Sequence, residues 1–163
     1  MNTVRHILQV KGSQIWSIAP DETVFEALRT MAKKDVGALI VMENEQMVGI
    51  ISERDYARKV ILQGRTSRDT MVREIMTANV FTVHPDQTIE ECMDLMITRR
   101  VRHLPVVEND RLSGVISIGD VLHDIIYRQR QVISSLENKV LSKDGEPSEP
   151  AVPRFPNVGK KNG

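Results

Sequence analysis

Two copies of one segment make up most of the chain, and this internal repeat restricts its possible folds more than any other feature. A shift of 65 residues aligns residues 15–61 with residues 80–126 without a gap. The matched identities run the length of the alignment and include Pro20/Pro85, Thr23/Thr88, Gly49/Gly114, Ser52/Ser117 and Asp55/Asp120. A single copy of roughly 50 residues buries too little surface to be stable alone. We therefore expect one module in which the two halves pack together.

Each copy predicts the same order of secondary structure. A short extended segment, residues 15–18 or 80–83, ends at Pro-Asp, and a helix follows that opens with a capping box, Thr23 with Glu26 or Thr88 with Glu91. Two apolar runs of strand length come next, separated by polar residues typical of hairpin turns. These runs are residues 38–42 and 47–51 in the first copy and residues 104–107 and 112–116 in the second. A second helix begins near Ser52 or Ser117. The predicted fold is α/β (α+β), with two pseudo-symmetric β-α-β-β-α repeats packed sheet to sheet.

The repeat also predicts the domain organisation. Repeat 1 with its N-terminal lead-in covers residues 1–66, and repeat 2 covers residues 67–130. Apolar residues at helical spacing continue through Val132, Ile133 and Leu136, which predicts a helical extension over residues 131–141. Residues 142–163 are polar and contain four prolines, a composition that predicts a disordered tail.

Composition argues against several functional classes. Lysine plus arginine equals aspartate plus glutamate at 22 each, whereas proteins that bind nucleic acid or anionic membranes normally carry a basic excess. The sequence contains no apolar run near the ~20 residues needed to cross a bilayer, and we expect a cytoplasmic protein. The four histidines follow no metal-binding spacing, and neither a nucleophile-base pairing nor a glycine-rich phosphate loop is present. We therefore expect a non-catalytic protein without a metal site.

A Ser-x-x-Asp element follows the last predicted strand of each copy, Ser52 to Asp55 and Ser117 to Asp120. One interpretation is purely structural, because serine at the N-cap with a carboxylate three residues later stabilises a helix start. The other is functional, because a helix N-terminus favours anions, and a carboxylate there can accept bonds from both hydroxyls of a ribose. The two interpretations are compatible, since the cap orients the groups that would bind.

Basic residues enter the first hairpin strand of the second copy only. Arg102 and His103 occupy the positions of Gly37 and Ala38 in the first copy, and they are candidates for phosphate recognition. The first copy instead carries Arg54 where the second has Gly119. The two candidate sites are therefore expected to differ.

These motifs, in this order and present twice, resemble tandem CBS domains, the paired unit called a Bateman module. The resemblance covers roughly residues 4–129 and is closest to small stand-alone bacterial members. It implies that Asp55 and Asp120 bind ribose, that Ser52 and Ser117 meet ribose or phosphate, and that Arg102 and His103 hold phosphates. The remaining candidate ligand-binding residues lie in the same motifs and in the second lead-in: Ala38, Arg54, Thr77, Pro105 and Gly119.

The resemblance also implies a function. We expect a regulatory sensor that binds an adenosine-containing nucleotide (AMP, ADP, ATP or NAD) in the cleft between the repeats, with no catalytic cofactor. Homodimers of such modules and an unknown effector protein are the expected partners. The alternative is a scaffold for protein interaction or dimerisation that binds no small molecule.

Overall fold

The computed structural model describes residues 2–142, so the predicted tail beyond Ser142 lies outside the described residues. Repeat 1 contributes the strands β1 (Ser17–Ile18), β2 (Ala38–Glu43) and β3 (Gln46–Ser52) and the helices α2 (Val24–Lys34) and α3 (Glu53–Lys59). Repeat 2 contributes β4 (His103–Glu108), β5 (Arg111–Ser117), α5 (Ile89–Arg99) and α6 (Ile118–Leu141). The helices α1 (Val4–Lys11) and α4 (Val72–Ile75) precede the two repeats, and a 3-10 turn spans Ile61–Gln63. The predicted mixed fold with two related halves is confirmed.

Matching local signals start and end the first long helix of each repeat. The hydroxyls of Thr23 and Thr88 accept hydrogen bonds from the N–H groups of Glu26 and Glu91, both at 3.2 Å. Both helices end at a residue in the left-handed region, Asp35 in α2 (φ 55°) and Arg100 in α5 (φ 53°). The repeated sequence therefore produces repeated helix boundaries.

The sheets differ between the repeats at one edge. In repeat 1, β1 pairs in parallel with β2, which forms an antiparallel hairpin with β3. In repeat 2, β4 and β5 form the same hairpin, but the strand predicted over residues 80–83 is reduced to a single bridge between Val83 and Val106. The reason is Pro105. Its counterpart Ile40 donates its N–H to the Trp16 carbonyl at 3.0 Å, and proline has no N–H to donate.

The two lead-in helices exchange places between the repeats. Val4 and Ile7 of α1 are buried in the core of repeat 2, and Val72 and Ile75 of α4 are buried in the core of repeat 1. Backbone hydrogen bonds fix both positions. Before α1, the Asn2 carbonyl accepts from the Ile89 N–H at 3.2 Å, and at the start of α4 the Val72 N–H donates to the Glu22 carbonyl at 2.8 Å. Each repeat therefore completes its core with a segment that precedes the other repeat in the chain.

Two equivalent glycines allow the lead-ins to approach the sheets closely. A Cβ atom at Gly49 would lie 2.8 Å from the carbonyl oxygen of Thr77, which follows α4. A Cβ atom at Gly114 would lie 2.7 Å from Cδ2 of Leu8 on α1. The identical glycines of the repeat are thus explained by the exchanged lead-ins.

Candidate functional site

The two Ser-x-x-Asp elements form complete capping boxes where a hairpin strand runs directly into a helix. In repeat 1 the Ser52 Oγ accepts from the Asp55 N–H at 3.3 Å, and Asp55 Oδ2 accepts from the Ser52 N–H at 2.9 Å. In repeat 2 the corresponding Ser117 and Asp120 distances are 3.2 and 2.7 Å. The structural interpretation of these elements is therefore confirmed. The caps also hold the two carboxylates in a defined orientation.

Each of these carboxylates also contacts a lysine, and the two lysines come from different places. Asp55 Oδ1 lies 3.0 Å from Nζ of Lys59, one turn further along α3, and the same ammonium donates to the Ile75 carbonyl at 2.8 Å. Asp120 Oδ2 lies 2.5 Å from Nζ of Lys11, at the end of the exchanged helix α1. Both aspartate side chains are well shielded, with exposed fractions of 15 % and 16 %. A ligand that binds either aspartate would therefore meet a cation already in place.

His103 lies where the two repeats meet. It pairs across the hairpin with Ser117, and a Cβ atom on Gly37 of repeat 1 would lie 3.8 Å from its imidazole ring and 3.9 Å from Glu53 Oε2. Burial lowers the pKa of His103, the nearby cation of Lys11 lowers it further, and the carboxylate of Asp120 opposes these effects. The imidazole is therefore neutral near pH 7 and can accept or donate a hydrogen bond.

The other predicted site residues lie partly in repeat 1 and partly in repeat 2. Ala38 pairs with Ser52 across the first hairpin, and Thr77 exchanges two backbone hydrogen bonds with Ile50 at 2.9 and 3.0 Å, so both lie at the repeat 1 strands. Pro105 is buried in β4 at the position paired with Val115. Arg102 and Gly119 are exposed beside the repeat 2 element.

Arg54 connects the two halves directly. Its Nη1 donates to the backbone carbonyl of Arg100, at the end of α5, at 3.3 Å. Arg54 is the candidate basic group of repeat 1. In the structure it reaches across to repeat 2, at the same boundary where His103 approaches Gly37.

Sequence reasoning missed four residues at these positions: Lys11, Lys59, Gly37 and Glu53. Lys59 could have been found, since a lysine four residues after an aspartate on a helix is a favourable ion pair. Lys11 could not, because it reaches Asp120 only through the exchange of α1. Gly37 approaches His103 through packing between the repeats, and Glu53 lies on another side of the same glycine; local patterns do not encode this arrangement.

Three further observations concern the surroundings of these residues. Within residues 2–142 there is no cluster of three or more His, Cys, Asp or Glu side chains suited to a metal ion. In the same part of the chain no helix combines the length and apolarity needed to cross a membrane. A groove of about 400 Å³ lies between the start of α5 and the middle of α6, and none of the predicted ligand residues lines it. The start of α6 offers a capped carboxylate, Asp120, with the Lys11 ammonium and the His103 imidazole near it, and the start of α3 offers a second capped carboxylate, Asp55, with Lys59 beside it.

Comparison with known proteins identifies the repeats. The CBS domain model matches twice, over residues 5–61 and 72–127. The chain is 40 % identical over 130 residues to the mitochondrial CBS domain-containing protein CBSX3 of Arabidopsis thaliana, a match that covers 77 % of this chain and 63 % of that protein.

Solved structures are similar over the same region. A protein with CBS domains from Burkholderia ambifaria superposes with a TM-score of 0.75 at 47 % identity, covering 77 % of this chain and 94 % of that one. The CBS domain pair of protein MJ0100 shares the fold, with a TM-score of 0.65 at 24 % identity over 74 % of this chain and 93 % of that chain. That structure is a complex with 5′-methylthioadenosine and S-adenosyl-L-methionine.

Proposed function

The chain belongs to the CBS-domain family, and we propose that it is a non-catalytic sensor that binds an adenosine-containing nucleotide in the cleft between its two repeats. CBS-domain proteins are in general regulatory modules rather than catalysts. The observation that carries the proposal is the arrangement at Asp120, where a capped carboxylate, the Lys11 ammonium and the His103 imidazole lie together at the boundary with repeat 1.

Each of these groups suits one part of a nucleotide. A carboxylate fixed at a helix start can accept from both ribose hydroxyls, and each such charged hydrogen bond contributes roughly 1.5–3 kcal/mol. Lys11, Arg102 and His103 supply donors for phosphate oxygens. In repeat 1, Asp55 and Ser52 offer the same ribose contacts, with Arg54 as the basic group, so the two sites differ in their phosphate contacts. Ala38, Thr77, Pro105 and Gly119 complete the proposed binding set.

AMP, ADP, ATP and NAD are the proposed ligands, because each contains an adenosine ribose and at least one phosphate. The adenosine derivatives bound by the CBS pair of protein MJ0100 support the adenosine part of this assignment. The nucleotide acts by linkage, since it shifts the protein toward whichever arrangement of the repeats binds it more tightly. A homodimer, acting on an effector protein in the cytoplasm, is the proposed assembly.

Titration calorimetry of the full chain with AMP, ATP, NAD and adenosine tests the proposal. Replacing Asp120 with asparagine should weaken AMP binding more than about tenfold, the loss expected for one charged hydrogen bond. Asp110→Asn is the matched control, because Asp110 is an exposed hairpin residue with φ 59°, a conformation that asparagine tolerates. Circular dichroism of each variant verifies folding.

The possible results separate the alternatives. AMP binding that is lost in Asp120→Asn and kept in Asp110→Asn supports the sensor. Absence of heat with all four compounds, in a folded wild-type protein, would refute it and leave a ligand-free scaffold. Equal binding by both variants would refute the ribose role of Asp120.

A further inference from the structure

The last part of α6 carries large apolar side chains that are more than half exposed. From Val132 to Ser142 every residue is exposed, although Val132, Ile133, Leu136 and Val140 are large apolar residues with exposed fractions of 54–78 %. Nearer the body of the protein, Leu122 and Ile126 on the same helix are also exposed. Contiguous apolar surface of this kind marks an interaction site.

The spacing of these residues is that of a coiled coil. Ile126, Ile133 and Val140 recur every seven residues, and a second series, Leu122, Gln129 and Leu136, recurs at the same interval between them. The first series occupies the a positions with β-branched residues, and the second occupies the d positions, mostly with leucine. A largely apolar seam at the a and d positions is the kind of surface that packs against a second helix. The stripe formed by these six residues, the α6 stripe, therefore fits a second helix with the same pattern.

Charge determines the relative direction of the two helices. Arg130 and Glu137 occupy successive e positions beside the α6 stripe, and both are exposed. In an antiparallel pair, e positions face e positions, which brings Arg130 of each copy beside Glu137 of the other. In a parallel pair, e faces g, and Glu137 would lie beside Val132. The charges thus favour the antiparallel arrangement.

The groove at the root of the exposed segment fits the same arrangement. It has a volume of about 400 Å³ and is lined by Glu90 of α5 and by residues of α6. The lining residues of α6 are Ile125, Arg128, Gln129, Val132 and Ile133. In an antiparallel pair with Ile133 of one copy beside Leu136 of the other, Val140 of the second copy lies beside Gln129 of the first. The apolar end of each helix then reaches the groove of the other copy.

We propose that a second copy of this chain binds the α6 stripe, with the segments from Gln129 to Leu141 antiparallel and each helix end seated in the other copy's groove. The segment is about 20 Å long at 1.5 Å per residue, so each free helix spans the free length of the other. This inference rests on the homodimer named in the proposed function and specifies its interface.

Charge reversal and sedimentation equilibrium of the full chain test the interface. Arg130→Glu places glutamate opposite Glu137 at two symmetric contacts and should weaken dimerisation about tenfold. The double variant Arg130→Glu/Glu137→Arg should restore the wild-type dimer, since it exchanges the partners. Arg111→Glu, a charge reversal at the exposed β4–β5 hairpin, is the control and should leave dimerisation unchanged.

Disulfide trapping tests the direction. Two single variants, Ile133→Cys and Leu136→Cys, should form a mixed disulfide when combined, because these positions face each other only in the antiparallel pair. Disulfides between identical Ile133→Cys chains, in preference to the mixed product, would refute the antiparallel arrangement.

The outcomes also separate this inference from the proposals on which it rests. A wild-type dimer that persists unchanged in Arg130→Glu and in Leu136→Asp would overturn the α6 interface and leave the homodimer standing. A wild-type monomer would overturn both. Nucleotide binding, measured on the same variants by calorimetry, reports separately on the sensor.

Discussion

Replacing Gly49 with alanine should destabilise the protein more than the same replacement at Gly114, although the two glycines occupy matching positions of the repeat. At Gly49 the added methyl group would lie 2.8 Å from the Thr77 carbonyl oxygen, a backbone atom. At Gly114 it would lie 2.7 Å from the end of the Leu8 side chain. A side chain can rotate away, whereas a backbone carbonyl moves only with its segment.

The magnitudes follow from what must move. Thr77 is held by two backbone hydrogen bonds to Ile50, at 2.9 and 3.0 Å, and each contributes a net ~0.5–1.5 kcal/mol. Relieving the overlap at Gly49 strains both bonds in addition to the packing, so we expect a loss of about 3 kcal/mol, the upper end of overpacking costs. At Gly114 an off-rotamer Leu8 costs about 1 kcal/mol.

Thermal unfolding measures the difference. The single tryptophan, Trp16, packs against the repeat 1 core and provides the fluorescence signal, and circular dichroism follows the whole fold. At ~2–4 °C per kcal/mol for a domain of this size, melting temperatures should fall by about 6–12 °C in Gly49→Ala and about 2–4 °C in Gly114→Ala. Equal losses, or a larger loss at Gly114, would show that the lead-in backbone after α4 is not a rigid obstacle.

Three further predictions concern single side chains. Arg102→Ala should weaken AMP binding several-fold and leave adenosine binding unchanged, as measured by calorimetry, and equal losses would contradict its phosphate role. Burial lowers the pKa of His103, so below about pH 6.5 the unfolded chain binds a proton that the folded chain does not. The stability of the wild type should therefore decrease as the pH is lowered, and it should decrease less steeply in His103→Asn when urea midpoints are compared. Arg128→Met should lower the free energy of unfolding in urea by about 3 kcal/mol, because the carboxylate of Asp124, only 5 % exposed, would lose its cationic partner at 2.8 Å. The loss should not be larger, because Asn2 still donates to the same carboxylate.

The sequence predicted the elements of each repeat well because their signals are local. Thr23 and Thr88 begin helices, and the polar turns join strands, since neighbouring residues alone decide these features. The extended segment predicted over residues 80–83 pairs with β4 through one bridge only, because Pro105 of β4 has no N–H to donate to it. Whether the segment pairs fully with β4 depends on a residue far along the chain, and the hydrophobic pattern of the segment itself does not predict it.

The candidate site was predicted in part. The Ser-x-x-Asp caps are present as expected, since capping is a local property. Their lysine partners differ because Lys59 is supplied by the same helix and Lys11 by the exchanged one. The contact between His103 and Gly37 likewise depends on how the repeats pack. Candidate residues for the site could be proposed from the sequence, but the pairs that they form in the structure could not.

The exchange of α1 and α4 has a consequence for how the chain is made. During translation the first repeat emerges with α1 attached, yet the surface that covers Val4 and Ile7 belongs to residues synthesised later. The first repeat in turn lacks Val72 and Ile75 until α4 has been synthesised. The first repeat can therefore finish folding only after α4 has left the exit tunnel, and the second repeat completes its core with an α1 helix made much earlier. A gene cut within residues 64–70 should yield two fragments that are stable only when mixed.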